Sequence, residues 1–411
     1  MVINVIHACR NCGSANINII TSVGYIYASG FIRLDDPLPT HKDAIDMVEC
    51  ADCGLLQLLH NYEPDLLYKQ YWYSSSLNKS MVNSLKDVVK DIESRTDPLD
   101  RVVVDIGTND GTLLAQYFGH PYKIGFDPAS NLKEQAEKNC DVFINDYFTK
   151  ETYPLEKKAK VITAIAMFYD LPDITKFMND VTSILAEDGM FVIQLTDLYS
   201  MLKANAFDNI CAEHLEYYTL KVLKEIMEKA GLEIFDVSYN KVNGGSVRVF
   251  SAFPGNYKVE NTVEKALVRE KEYFELFTEH PIKELMHKVK FEMNYLVRFL
   301  KHVKYSGKKC FVLGASTKGN TLLQLAGIDY NLVPYALEVN KEKIGLFTVG
   351  SYIKIISEKE GMEMKPEFLL VLPWHFRTFF IEKFDAYIKD GGKLVFPLPY
   401  FEIIGSEDLC Q

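Results

Sequence analysis

The segment that most constrains the chain is RVVVDIGTNDGTLLAQYF, residues 101–118. A short apolar run leads into Asp105, a turn carrying Gly107 and Gly111 follows, and a helical pattern comes next. This is the first strand, loop and helix of a doubly wound parallel sheet, which presents its ligand at the carboxyl end of the strand. The turn reads DIGTNDG, without the G-x-G-x-x-G of a dinucleotide fold or the G-K-[ST] of a phosphate loop. It suits a cofactor without phosphates: the two glycines let the backbone pass close to a methionyl group, and Asp105 meets its ammonium. KIGFDPA is a second strand ending in Asp127, followed by Pro128, where an acid fits a ribose with two free hydroxyls. VFINDYF places Asp146 near an adenine, and KVITAIAMFYDLPDI and GMFVIQLTDL supply a fourth and a fifth strand. S-adenosylmethionine is therefore the expected cofactor. A dinucleotide-binding dehydrogenase is the blander alternative, and its glycine fingerprint is missing.

Ahead of this segment lie Cys9-Arg-Asn-Cys12-Gly13 and Cys50-Ala-Asp-Cys53-Gly54, two copies of one C-x-x-C-G knuckle. Two residues between thiols let both sulfurs face one side of a tight turn, and the glycine lets the chain fold back. Two knuckles supply four tetrahedral ligands and leave no place for water, so the pattern predicts a structural zinc rather than a catalytic one. The strand-like NIITSVGYIYASGFI between them is enough for a small ribbon. Two disulfides or a redox C-x-x-C are the competing readings. Disulfides would need an oxidising compartment, and the first residues lack the basic start and apolar run of a signal peptide. With no long apolar stretch either, a cytoplasmic, non-membrane protein is expected. A net charge of −11 argues against nucleic acid as the main ligand, while allowing a local basic pocket for a diphosphate.

Further motifs follow in a fixed order: Tyr71-Trp-Tyr73-Ser-Ser, DIGTNDGTLL, NAFDNICAEHLEYYTL at 205–220, NGGSVRVF at 243–250, GASTKGNTLL at 314–323 and VLPWHF at 371–376. With the two knuckles, this set resembles the zinc-containing sugar C-methyltransferases, which act on nucleotide-diphosphate 4-keto-6-deoxysugars. The resemblance implies that Asp105, Gly107, Asn109, Asp110 and Asp127 hold the methyl donor, with Thr108, Gly111, Pro128 and Asp146 in the same loops. It implies His214 as catalytic base with Glu213 beside it, and an active-site tyrosine, Tyr71 or Tyr73. Two positions depart from the family pattern. Cys211-Ala212 stands where members often carry Tyr-His, and Asp170 stands where a histidine is common after the fourth strand.

The chemistry explains these residue types. A saturated sugar carbon has no lone pair, but a carbon beside a ketone can lose its proton and attack a sulfonium methyl as an enolate. Such a reaction needs a base near the C–H and donors near the carbonyl oxygen. Histidine is largely neutral at ordinary cellular pH, Glu213 is placed to set its tautomer, and a tyrosine hydroxyl can donate without adding charge. His214 precedes the helical pattern Leu220-Val222-Leu223-Ile226-Met227, in a loop at the ligand edge of the sheet. Against this stand plainer roles: a packed histidine, a solvated Glu213, and a YWYSSS segment that is merely an aromatic domain contact.

Residues 258–304 are charged and amphipathic and predict one or two helices packed on their own domain. KKCFVLGASTKGNTLLQLAG then repeats the strand–turn–helix theme, opening a second Rossmann-like α/β domain. The expected division is 1–68 for a zinc module, 69–250 for the methyltransferase domain and 251–411 for a nucleotide-sugar domain. Lys318 and Asn320, on a turn that opens a helix, would receive an anion, Glu338 would meet the nucleotide's ribose or base, and Ser246 and Arg248 would close over the sugar. A plain helix start and a tight turn before a core strand are the structural alternatives. Methylation of a sugar hydroxyl, and a zinc-ribbon RNA methyltransferase, compete with carbon methylation. A monomer or small homo-oligomer is expected.

Overall fold

The computed structural model describes residues 4–28, 30–35 and 42–408. Its centre is a seven-stranded sheet in the order Glu233–Asn240, Ser246–Ala252, Leu185–Leu195, Ala159–Ile165, Val102–Ile106, Tyr122–Phe126, Val142–Ile144. All neighbours are parallel except Ser246–Ala252, which runs antiparallel to both strands beside it. Every residue of Val102–Ile106 is buried, as a strand covered on both faces must be. One face receives Leu85, Val88, Val89 and Ile92 of helix Lys79–Glu93. The other receives helices Ile174–Ile184 and Leu220–Lys229. The strand order reverses beside Val102–Ile106, which places a ligand crevice at the carboxyl ends of that strand and Ala159–Ile165. The helix expected after the glycine turn is a single turn, Leu114–Gln116. It stops because Gly119 and His120 both take positive φ, 89° and 104°, just before Pro121.

A second, eight-stranded sheet follows, in the order Glu402–Ile404, Lys393–Phe396, Phe368–Val371, Cys310–Leu313, Tyr335–Glu338, Lys354–Ser357, Phe347–Thr348, Phe31–Ile32. The five strands from Lys393–Phe396 to Lys354–Ser357 in that order are parallel, and this order too reverses, around Cys310–Leu313. The amphipathic stretch is two helices with different allegiances. Asn261–Phe274 packs Val263 and Ala266 into the first sheet's core, whereas Pro281–Tyr305 packs Leu285, Val289, Leu296 and Leu300 under the second.

The amino-terminal module is less separate than expected. Its sheet runs Glu216–Tyr217, Leu56–Leu58, Asp43–Cys50, Ile17–Ile26, so one strand is borrowed from the loop that carries His214. Its Phe31–Ile32 segment adds an edge to the carboxy-terminal sheet. Residues 29 and 36–41 of the expected ribbon lie outside the described residues. No helix among the described residues is long and apolar enough to cross a membrane.

Candidate active site

At the reversal of the first sheet, Asp105 is 3 % exposed and its Oδ1 accepts the Thr163 hydroxyl at 2.6 Å. Burial pushes its carboxyl up to about 7. Asp127 ends the adjacent strand; its Oδ2 accepts the Asn109 amide at 2.7 Å and its Oδ1 the Ala129 amide at 2.9 Å. Burial raises it to about 6. A carboxylate has about four lone-pair sites, so Asp127 keeps capacity for two hydroxyl donors. Gly107 sits at φ 72°, and a Cβ there would press on the Met167 side chain at 3.0 Å, so the crevice floor admits backbone only. Ala166, beside it, holds φ 55°, a conformation that costs a residue with a Cβ and persists where the surroundings enforce it. Two buried acids short of a cation or hydroxyls, beside a glycine turn, fit a methionyl ammonium and a ribose. Pro128 is half-buried beside them, while Asp146 lies exposed beyond strand Val142–Ile144 with its Oδ1 on the Tyr147 amide.

Asn109 and Asp110 have a different occupation. Asn109 Oδ1 accepts the Ser75 amide and its Nδ2 donates to the Tyr73 carbonyl, both at 2.9 Å. Asp110 accepts the Ser74 hydroxyl at 2.6 Å and the Ser76 amide at 2.8 Å. The Y-x-Y-S-S segment is therefore strapped across the glycine turn, and the two tyrosines part company. Tyr73 lies against Asp110. Tyr71 faces Asp170 and Glu213, and with Tyr68, whose hydroxyl donates to the Glu213 carbonyl at 3.1 Å, it forms one wall of a cleft. Burial first, and those carboxylates second, push the Tyr71 hydroxyl well above its ordinary value, so it stays protonated.

His214 directly follows Glu213, its ring centroid 4.2 Å from that of Tyr169. Nδ1 is 2.7 Å from the Asn209 carbonyl oxygen. A backbone carbonyl only accepts, so the proton sits on Nδ1 and Nε2 keeps its lone pair. The tautomer is thus set by Asn209 rather than by Glu213. Burial and the nearby Lys318 cation hold the imidazole down at about 3, so it is neutral at ordinary pH. Tyr68, Tyr71, Asp170, Glu213, His214, Lys318 and His375 are each hemmed in by protein yet keep some accessible surface, as side chains lining a deep cleft do.

The carboxy-terminal sheet meets this cleft with its own reversal point. Lys318 Nζ donates to Asn209 Oδ1 at 2.6 Å, and the Trp374 indole N–H donates to Asp208 at 2.8 Å. A Cβ on Gly244 would strike the Trp374 ring at 2.7 Å, so the 243–245 turn is there to dock the two halves. Several expected substrate contacts are occupied by the fold. Arg248 is 3 % exposed and bonds Asp87, Asp91 and Gln194, tying helix Lys79–Glu93 to the sheet. Ser246 donates to the Val242 carbonyl. Glu338 accepts the amides of Ala315, Val339 and Asn340. Asn320 donates to the Gly30 carbonyl of the amino-terminal module. The reading of single motifs missed Asn209, Tyr68 and His375. Only the run NAFDNICAEH, taken as a unit, hinted at the first.

The four sulfurs of Cys9, Cys12, Cys50 and Cys53 all lie within 4.8 Å of one another. Cys9–Cys53 at 3.6 Å and Cys12–Cys50 at 3.5 Å are far beyond a disulfide bond and near the edge of a tetrahedron of thiolates about 2.3 Å from zinc. Gly13 and Gly54, at φ 69° and 73°, return their amides to the Cys9 and Cys50 carbonyls, so the knuckles are copies in space as in sequence. The donor set fits a structural zinc. Beside it, buried Arg10 donates to the Leu58 carbonyl at 2.7 Å and pairs with Glu216 at 3.5 Å, two residues past His214.

Two family models match end to end: "Methyltransferase domain" over 78–237 and "C-methyltransferase C-terminal domain" over 241–399. The curated C-methyltransferase NovU of Streptomyces niveus is 29% identical over 417 residues, covering 99% of each chain. Among solved structures, a complex of the Haloferax volcanii Trm112 methyltransferase activator with a putative methyltransferase aligns at TM-score 0.37, 14% identity, 44% of this chain and 95% of that one. An S-adenosylmethionine-dependent methyltransferase from Clostridium acetobutylicum aligns at TM-score 0.34, 12% identity, 42% of this chain and 92% of that one. The assignment rests on the sheet order, the two adjoining models and the full-length relative: the chain is an S-adenosylmethionine-dependent C-methyltransferase related to NovU.

Proposed function

We propose that the chain methylates the carbon beside the 4-keto group, C3, of a nucleotide-diphosphate 4-keto-6-deoxysugar, building a branched-chain sugar. The observation that carries this reading is His214: a neutral imidazole with Nδ1–H fixed on a carbonyl and the Nε2 lone pair left to take a proton, next to Glu213, which a protonated Tyr71 also faces. Asp105, Asp127 and the Gly107–Gly111 turn would hold S-adenosylmethionine, which supplies an electrophilic methyl group. His214 Nε2 takes the proton from the sugar carbon. The Tyr71 hydroxyl donates to the oxygen on which negative charge grows, an arrangement in which one well-aimed donor is worth about 3 kcal/mol. Burial first, and Glu216 and Glu213 next, push Asp170 well above the usual carboxylate range, which favours its neutral form. It can donate where a carboxylate would repel. The site's position between two reversal points gives a nucleotide sugar one half to bind and another to react in. The cysteine site is structural zinc in this reading, held by Cys9, Cys12, Cys50 and Cys53.

Incubation with ¹³C-methyl donor and candidate nucleotide keto-sugars tests the proposal by NMR. A methyl carbon bonded to a ring carbon is expected. An O-methyl signal, or turnover of sugars lacking a ketone, would refute it.

A further inference from the structure

The turn that opens helix Thr317–Ala326 looks, in sequence, like an anion receptor, but several of its donors are taken by the fold. The Gly319 amide is capped by Ser316 Oγ at 3.0 Å, and the Ala315 amide is bonded to Glu338 at 3.1 Å. Lys343 Nζ sits on the Ala315 carbonyl at 2.9 Å. Lys318 itself points away from the turn, across the seam between the two halves, to Asn209 Oδ1. Around it lie Asp208, Asp170, Glu213 and the Cys211 thiol, acidic groups with which a diphosphate would have to share one cation. Asn209 is also the residue whose carbonyl fixes His214. A continuous line therefore runs from the carboxy-terminal domain to the base: Lys318 N–H to Asn209 Oδ1, and Asn209 C=O to His214 Nδ1–H.

We propose that Lys318 is a positioning residue for proton abstraction, so that the base is assembled only when the carboxy-terminal domain is docked. It does not serve as a receptor for the nucleotide's phosphates. The inference rests on the reading of His214 as the base. Two consecutive residues of the His214 loop are held from the second domain, Asp208 by Trp374 and Asn209 by Lys318, so the loop's conformation is set across the seam. The cation also keeps protons off the ring; His375, facing the same cation, is held down at about 3 for the same two reasons, burial and Lys318.

The test compares wild type with Lys318→Met, Lys318→Arg and Asn209→Ala in the full-length, metal-loaded protein. Exchange of the sugar C–H with deuterated solvent is followed against pH and nucleotide-sugar concentration. For Lys318→Met the exchange rate at saturation falls by about tenfold or more, KM changes by less than about threefold, and the acid limb moves to higher pH because the cation that disfavours a protonated His214 is gone. Lys318→Arg, which can still donate to Asn209, recovers much of the rate. Asn209→Ala lowers the same rate while sparing KM. A large rise in KM at an unchanged saturated rate would make Lys318 a phosphate receptor and overturn the proposal; so would wild-type behaviour of Lys318→Met. If the wild type itself exchanges nothing, the proposed substrate is wrong, and the positioning claim is read from imidazole ¹⁵N signals. There Lys318→Met is expected to lose the Nδ1–H preference of His214, and an unchanged tautomer overturns it. Asn209→Ala gives the same reading should Lys318→Met fail to fold.

Discussion

At the scale of single residues, the site is a set of groups whose protonation is decided by burial. Asp105 and Asp127 sit at about 7 and about 6, above the ordinary carboxylate value. For an acid raised in the folded state, the unfolded chain gives up its proton first as pH rises. Stability is then fully present below about 4 and drains away up to the folded value. The ligand-free protein is expected to lose thermal stability between about pH 4 and pH 7, and Asp105→Asn should flatten part of that slope in melting curves. An unchanged slope would mean that Asp105 is already ionised. Asp170 supplies a second residue-level expectation. Asp170→Asn keeps a neutral donor and should retain most exchange activity, whereas Asp170→Ala loses about tenfold or more in rate.

What could be read from sequence at this scale followed chemistry that is local. The acids ending two strands, the glycines of the turn and the four cysteines all occupy the positions their spacing predicts. Arg248, Ser246 and Glu338 did not reach the cleft, because their partners come from elements distant in the chain: helix Lys79–Glu93 for the first, the loop at 315 for the last. A polar residue beside a motif has no sequence label saying whether the fold or the ligand takes its hydrogen bonds. The same blindness hid Asn209, whose importance is a backbone carbonyl that any residue carries.

At the scale of elements, the loop around His214 is gripped from two sides. Its Glu216–Tyr217 strand pairs with Leu56–Leu58 of the cysteine module, and the Leu58 amide donates to the Leu215 carbonyl at 2.8 Å. Arg10, inside the first knuckle, pairs with Glu216 at side-chain exposures of 2% and 0%. Removing one partner of such a buried pair typically costs about 3–5 kcal/mol. Arg10→Met is accordingly expected to lower the denaturation midpoint and the exchange rate together. Stripping the metal proposed for the four cysteines with a chelator should abolish turnover while leaving the affinity for a methyl-donor analogue within about threefold, because Asp105 and Asp127 are held by Thr163, Asn109 and Ala129 and not by the cysteine module. Equal loss of both, followed by calorimetry, would mean that the module supports the whole domain instead of the base loop. The strand borrowed from residues 216–217 is too short to carry a periodic signal, and so the sequence showed the knuckles without showing what they hold.

At the scale of the whole molecule, two doubly wound sheets face each other reversal point to reversal point, and the amino-terminal module touches both. Its Phe31–Ile32 segment joins the second sheet, and Gln324 bonds the Tyr27 backbone through both amide atoms. The motif on which each expected part opens was legible in the sequence. The seams were not, since helix Asn261–Phe274 stays with the first sheet, where Glu270 accepts the Leu220 and Lys221 amides at the start of the preceding helix, Leu220–Lys229. A chain so interlocked is predicted to unfold with a cooperative loss of both sheets.

The account stands on His214 drawing a proton from the carbon beside a ketone. The measurement is ¹H NMR of a nucleotide 4-keto-6-deoxysugar in deuterated water with the wild-type protein and with His214→Ala, in the presence of demethylated donor. Wild type should wash out the C3 proton, and His214→Ala should slow this by about a hundredfold or more. Exchange at the wild-type rate in the variant would contradict it.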